Sequence, residues 1–210
     1  MVLAGGQSRR MAELGDKLLL PRDGSGQPIL AHVAREAAGT GAEVVIAYGR
    51  EEVRQAVAPF VPSQTRWLKD VVAWQGPLVA IANVFRQFEE MSADAEDVAE
   101  CFHVVAGDLP GLQSAMLRRL SHRLRSGSSD VAAYVRDGRL QPLIAAYRWH
   151  VGRRFIDAVE RGETRILRVL DDVAVDPVAV SAAEAWRLEP VHTPIDYRNW
   201  EIRRSARETP

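Results

Sequence analysis

The chain has 210 residues, 47% hydrophobic and 26% charged, with a formal net charge of −1. That length supports one sizeable core, and that balance is ordinary for a globular chain rather than a disordered one. The near-neutral charge weighs against a general nucleic-acid binder, which needs a basic surface, and the five Trp have no basic stretch interleaved with them.

Four apolar residues, Met1 to Ala4, precede Gly5. Two readings stand: a very short first strand, or one that begins upstream of Met1. Residues 29–38 (ILAHVAREAA) read as a helix, because Ile29, Val33 and Ala37 share a face, and Gly39 and Gly41 close it. Residues 43–48 are a short β-rich run between glycines, 50–58 a helix stopped by Pro59, and 65–68 a short strand. Gly76-Pro77 opens a helix to about Glu90, with proline where a missing N–H costs nothing. Residues 91–99 form an acidic connection, 101–106 (CFHVVA) the clearest buried strand, and 112–124 a basic amphipathic helix.

This β-α alternation predicts an α/β fold: a Rossmann-like, doubly wound, mostly parallel sheet with helices on both faces. Ligands in that architecture sit at the carboxyl ends of the strands. The second half is less regular. Residues 130–135 and 142–147 read as strands around Asp137-Gly138, 149–160 as a helix, 186–191 as a last strand and 195–206 as a last helix. With no repeat, low-complexity tract or linker, a single domain over 1–210 is expected. A single cysteine, Cys101, argues against a disulfide or a cysteine-based zinc site, and the thiol is expected to be buried and inert. No run approaches the roughly 18 apolar residues of a membrane span, and no signal-peptide pattern opens the chain. A cytoplasmic protein without nucleic-acid or membrane partners is expected.

The chemistry concentrates at residues 3–17, LAGGQSRRMAELGDK. Glycines let a backbone aim N–H groups at phosphates, and Arg10 and Lys17 supply charge that backbone dipoles do not. The loop is neither a P-loop nor G-x-G-x-x-G, so a turn with a solvated rim is the competing reading. Asp70, Asp108 and Asp196 follow strand-like runs. Asp108, one glycine beyond the 101–106 strand, suits a magnesium held with nucleotide phosphates, and suits a helix N-cap equally well. Asp70 reads as a surface aspartate on its own. His32 reads as a surface or rim histidine, and His103 as a hydrogen-bonded core histidine. Arg118, Arg119, His122, Arg123 and Arg125 form one basic, solvated helix face.

Taken together, LAGGQSRRM (3–11) with Asp16-Lys17-Leu18-Leu19, then GPLVAI (76–81), GDLPGL (107–112), LQPLIAAYR (140–148) and HTPIDY (192–197), resemble the motifs of nucleotidyltransferases of the molybdenum cofactor guanylyltransferase superfamily. The resemblance spans about residues 2 to 200 and rests on order and spacing together. It implies a nucleotide-diphospho-sugar transferase-like fold and a magnesium-dependent attack of an acceptor phosphate on the α-phosphorus of a nucleoside triphosphate, with pyrophosphate leaving. It implies that Leu3, Ala4, Gly5, Gly6 and Ser8 hold the nucleotide, that Arg10 faces the β- and γ-phosphates and that Lys17 lies near the α-phosphate. Asp108 would hold magnesium, Asp70 the nucleoside, and Gly76 and Pro77 would shape the base pocket. Leu-Ala-Gly-Gly leans toward GTP, and the family suggests molybdopterin as acceptor. A cytidylyl, adenylyl or sugar-phosphate transferase, or a non-catalytic carrier on the same fold, are the alternatives. Ala12 stands where the family has glycine and Ala80 where glycine is common. Gly49-Arg50 lacks the usual asparagine, and four residues part Met11 from Asp16. His192 stands where an Asn- or Asp-like metal or acceptor contact is expected.

Overall fold

The computed structural model describes residues 1–6, 8–11, 14–70, 75–91 and 100–208. Ala12 and most of the acidic 91–99 connection lie outside the described residues. The strands are β1 (Val2–Ala4), β2 (Val45–Tyr48), β3 (Arg66–Lys69), β4 (Cys101–Ala106), β5 (Val131–Arg136), β6 (Arg139–Arg148) and β7 (Val175–Ala179). The helices are α1 (Ile29–Ala38), α2 (Glu51–Val57), α3 (Pro77–Met91), α4 (Ser114–Ser126), α5 (Val151–Glu160), α6 (Ile166–Val169) and α7 (Pro194–Glu208). The strands form one seven-stranded sheet in the order β3-β2-β1-β4-β6-β5-β7. Among the described strands only β6 runs antiparallel to its neighbours, β4 and β5.

Side-chain alternation explains the two layers, because successive residues of a strand point to opposite faces. Val2, Ala4, Ile46, Tyr48 and Val105 pack with α1, α2 and α4 in one core. Leu3, Val45, Ala47 and Val104 pack with α3, α5 and α6 in the other. The helices that follow β1 and β2 cover one face, and α3 crosses to the other before β4 pairs with β1 on its free side. The crevice of this topology therefore opens between the carboxyl ends of β1 and β4.

β4 is fully buried only at Val104 and Val105. Cys101 to His103 are partly exposed, because β1 pairs with β4 only at Val105 and Ala106. Cys101 is thus half-buried, and burial raises its pKa and favours the thiol. His103 Nε2 lies 3.0 Å from the Leu117 carbonyl and 2.7 Å from the Ser121 hydroxyl, as expected of a hydrogen-bonded histidine. His32 is no rim residue. It is half-buried, with Nε2 3.0 Å from the Leu112 carbonyl, and burial lowers its pKa. Part of the basic face of α4 is paired rather than solvated: Arg123 forks onto Asp176 at 2.7 and 2.9 Å, and Arg119 meets Glu184.

The expected strand at 186–191 does not form. Residues Ala185–Leu188 are a turn of 3-10 helix, and extended chain follows. Trp186, Leu188 and Val191 mimic a strand's apolar pattern, yet Trp186 is buried by stacking on Trp200 of α7, ring centres 5.3 Å apart. The last strand is instead β7, parallel to β5. Its sequence Val-Asp-Pro-Val-Ala hides it, since proline forfeits a ladder donor and is tolerated only at a sheet edge. The 185–192 segment matters because the Val191 N–H donates to the Asp108 carbonyl at 2.9 Å and brings His192 to the mouth of the crevice.

Two outcomes follow from this packing. A Cβ at Gly111 would lie 2.6 Å from Arg187 Cα and 2.9 Å from its carbonyl oxygen. Gly111→Ala is expected to push the 185–192 segment off the Asp108 loop, lowering stability by about 1–3 kcal/mol in urea denaturation. Burial lowers the pKa of His103 from 6.5 to about 4. The unfolded chain therefore takes up this proton first, and stability is lost as pH falls from 6.5 toward 4, by at most about 3 kcal/mol. Denaturation of wild type and His103→Gln at pH 7, 5.5 and 4 checks this; the variant is expected to show the shallower pH dependence.

Candidate active site

A cleft of about 650 Å³ opens at the carboxyl ends of β1 to β4. Each strand delivers a residue to it directly or through the turn that follows: Gly5 and Gly6 after β1, Gly49 after β2, Asp70 after β3, Gly107 and Asp108 after β4. Gly76 and Pro77, at the start of α3, and Gln141 to Ile144 of β6 close the other side. Gly6 adopts φ +106°, a left-handed backbone in which a side chain would be strained. The glycine loop is thus shaped by its sequence to present backbone rather than side chains to the cleft.

Asp108 is the electrostatic centre. It does not cap a helix, since α4 begins at Ser114 with Gln113 in the cap position. Its side chain is only 8% exposed, and Lys17 Nζ reaches its Oδ2 at 2.5 Å. His192 Nδ1 lies 3.3 Å from the same oxygen and 3.4 Å from the lysine nitrogen. Burial pushes the Asp108 carboxyl upward. The hydrogen bond from His192 and the Lys17 ammonium outweigh it and hold the carboxyl below its usual range. Asp108 Oδ1 is buried without a hydrogen-bond partner among the described residues. The pocket therefore contains an ionised carboxylate with one oxygen engaged and one unsatisfied, beside an ammonium.

A second carboxylate, Asp16, sits behind the loop. The Ser8 hydroxyl donates to Asp16 Oδ1 at 2.8 Å, the Leu18 N–H donates to the same oxygen at 3.1 Å, and Oδ2 faces the Arg50 guanidinium as an ion pair. Asp70 Oδ1 accepts from the Asn83 side chain at 3.3 Å and lines the cleft. Asp196 has a different task. Its Oδ2 accepts the N–H groups of His192 and Thr193 at 3.0 and 2.7 Å, while the Thr193 hydroxyl accepts the Asp196 N–H, a reciprocal box at the start of α7.

Of the residues singled out from sequence, Leu3, Gly5, Gly6, Lys17, Asp70, Gly76, Pro77, Asp108 and His192 all line this one cleft. Ala4, Ser8 and Arg10 do not. Ala4 points to the α1 side of the sheet, Ser8 turns to Asp16, and Arg10 is exposed while Arg9 lines the cleft. Arg9–Met11 is a 3-10 turn, in which neighbouring side chains diverge by about 120°, so the two arginines leave the backbone in different directions. Residue pattern alone gives Asp16 and Arg50 no task. The only signal for them was a charge of each sign beside a glycine turn. The extra residues before Asp16 do not shorten the reach of Lys17, whose contact with Asp108 spans 91 positions.

Comparison with known proteins agrees with this architecture. A family model described as MobA-like NTP transferase domain matches residues 1–178. A protein named probable molybdenum cofactor guanylyltransferase, from Mycobacterium marinum, is 31% identical over 183 residues, which cover 86% of this chain and 83% of that protein. The bifunctional protein GlmU of Kineococcus radiotolerans is 34% identical over 134 residues; these are 62% of this chain but only 25% of GlmU. The crystal structure of molybdopterin-guanine dinucleotide biosynthesis protein A from Archaeoglobus fulgidus shares the fold, with a TM-score of 0.73 at 20% identity over 98% of this chain and 97% of that one. On the extent of these matches, and with a glycine loop facing a lysine-bound aspartate across the crevice, the chain belongs to the family of MobA-like NTP transferases and is a nucleotidyltransferase.

Proposed function

We propose that this nucleotidyltransferase is a cytoplasmic, magnesium-dependent enzyme that transfers GMP from GTP to the phosphate of molybdopterin, with release of pyrophosphate. The observation that carries the reading is the Lys17–Asp108 contact under the glycine loop. It supplies a positive group for phosphate oxygens and an anionic oxygen for a divalent cation in one cleft. The orphaned Asp108 Oδ1 fits magnesium, which takes one or two protein carboxylates and completes its shell with phosphates and water. Bound there, magnesium would neutralise the charge that develops on the phosphates.

The protein's own part is positioning and charge stabilisation. The backbone of Gly5 and Gly6 lies along the cleft floor, where its N–H groups suit phosphate oxygens. Lys17, released from Asp108 as the nucleotide enters, would meet the α-phosphate. Arg10 would serve the β- and γ-phosphates by reorienting from solvent, and Arg9 already lines the cleft. Asp70 and the Gly76-Pro77 turn stand on the side expected to receive the nucleoside. Ala4 and Ser8 support the loop from behind. His192, beside Asp108 at the mouth of the cleft, stands where the acceptor phosphate would approach, and is a weaker partner for magnesium than a carboxylate.

Nucleotide choice is read from thermal stabilisation by GTP, CTP, ATP and UTP, each with magnesium. A ligand at 100 times its Kd adds about 2.7 kcal/mol to stability. GTP is expected to give the largest rise in Tm; an equal or larger rise with CTP would sink the guanylyl assignment. Removing a preorganised charge at the reacting phosphate costs about 100-fold or more in turnover. Lys17→Met and Asp108→Asn are therefore each expected to lower kcat for pyrophosphate release by at least about that factor. Asp108→Asn should also raise the magnesium concentration needed for half-maximal rate.

A further inference from the structure

We infer that Asp16 and Arg50 are positioning residues for nucleotidyl transfer: their ion pair holds the glycine loop and the base of Lys17 in the geometry that receives the nucleotide. Neither residue lines the cleft. The inference rests on reading that cleft as the nucleotide site.

The burial and wiring of Asp16 lead to this assignment. Its side chain is 9% exposed, and both oxygens are committed. Oδ1 takes the Ser8 hydroxyl and the Leu18 N–H, and Oδ2 opposes Arg50. Asp16 Oδ2 and the facing Arg50 nitrogen have no hydrogen-bond partner elsewhere among the described residues. A carboxylate this buried needs its counter-charge; deprived of it, the group protonates or turns toward water. Protonation weakens Oδ1 as the acceptor shared by Ser8 and Leu18, and a turn toward water withdraws it.

Those two groups matter to the cleft in different ways. Ser8 adopts φ +47°, a left-handed backbone that costs a serine about 1–2 kcal/mol and persists only when its surroundings hold it. Its carbonyl also accepts the Met11 N–H at 2.8 Å, so the turn carrying Arg9 and Arg10 starts from this residue. The Leu18 N–H bond fixes the backbone immediately after Lys17, whose side chain spans to Asp108. Arg50 follows Gly49, a cleft residue, and stands at the N-cap position of α2. One carboxylate thus joins the turns after β1 and β2 and the segment that carries Lys17.

The test uses the intact protein and Arg50→Met, with Arg50→Lys as the conservative variant. In the nucleotide-free protein, hydrogen exchange at the Met11 and Leu18 amides is expected to quicken about tenfold or more in Arg50→Met, while amides of α1 and α4 keep their protection. Calorimetric titration with magnesium-GTP is expected to show a Kd raised about tenfold or more, with Arg50→Lys recovering most of it. If Arg50→Met does not fold, Asp16→Asn, which keeps an acceptor oxygen and removes the charge, takes its place with the same expectations. Unchanged exchange at Met11 and Leu18, or an unchanged Kd in a folded variant, overturns the assignment. Failure of wild type to bind GTP, CTP, ATP or UTP would overturn the nucleotide reading of the cleft instead, and the exchange result would still decide whether the pair holds the loop.

Discussion

A buried carboxylate at the end of β4, met by an ammonium from beyond β1, is the contact on which the rest of the site depends. Asp108 and Lys17 lie in the segments that follow the two strands flanking the crevice, and neither is placed by local structure alone. Parallel pairing of β1 with β4 sets the distance between them. The extended chain that follows the 3-10 turn at Ala185–Leu188 then adds His192, tied in by the Val191 N–H. The low polarity around Asp108 would favour its protonated form. The two basic groups hold it ionised, so the cleft carries a localised negative oxygen next to a positive charge.

A second constraint is that the glycine loop reaches the core only at its end, through Met11. It is short, carries a left-handed serine, and leaves the sheet after a three-residue strand. Met11 anchors its far end in the core, and polar contacts to Asp16 hold the part that carries Ser8. A nucleotidyltransferase has reason to be built this way, because a loop that receives phosphates must show backbone N–H groups and cannot bury them. The Asp16–Arg50 ion pair lies behind the loop, outside the lining of the cleft.

How much of this was legible in the sequence differs by element. The first 125 residues alternate cleanly, and their helices and strands lie where apolar periodicity and glycine or proline boundaries put them. β7 was hidden by Pro177, and Trp186 to Val191 imitated a strand because burial against α7 demands a similar apolar spacing. For the site, residue type and position bring Lys17 and Asp108 forward, and only the family resemblance gives Asp70 and His192 a task. The same reasoning could not distinguish Arg9 from Arg10, or Ser8 as a cleft residue from Ser8 as a loop support. Those distinctions are directions in space, set by a 3-10 turn and one hydrogen bond.

The sequence by itself determined the α/β alternation, the family and the motif residues, since these depend on local periodicity and on short patterns of residue types. Only the tertiary structure decided which side chains meet. Lys17, Asp108 and His192 are far apart along the chain, and Arg50 is far from Ser8 and Asp16. Their contacts arise from strand order, parallel pairing and the buried turn at Ala185–Leu188, and no local window of sequence contains the information that joins them.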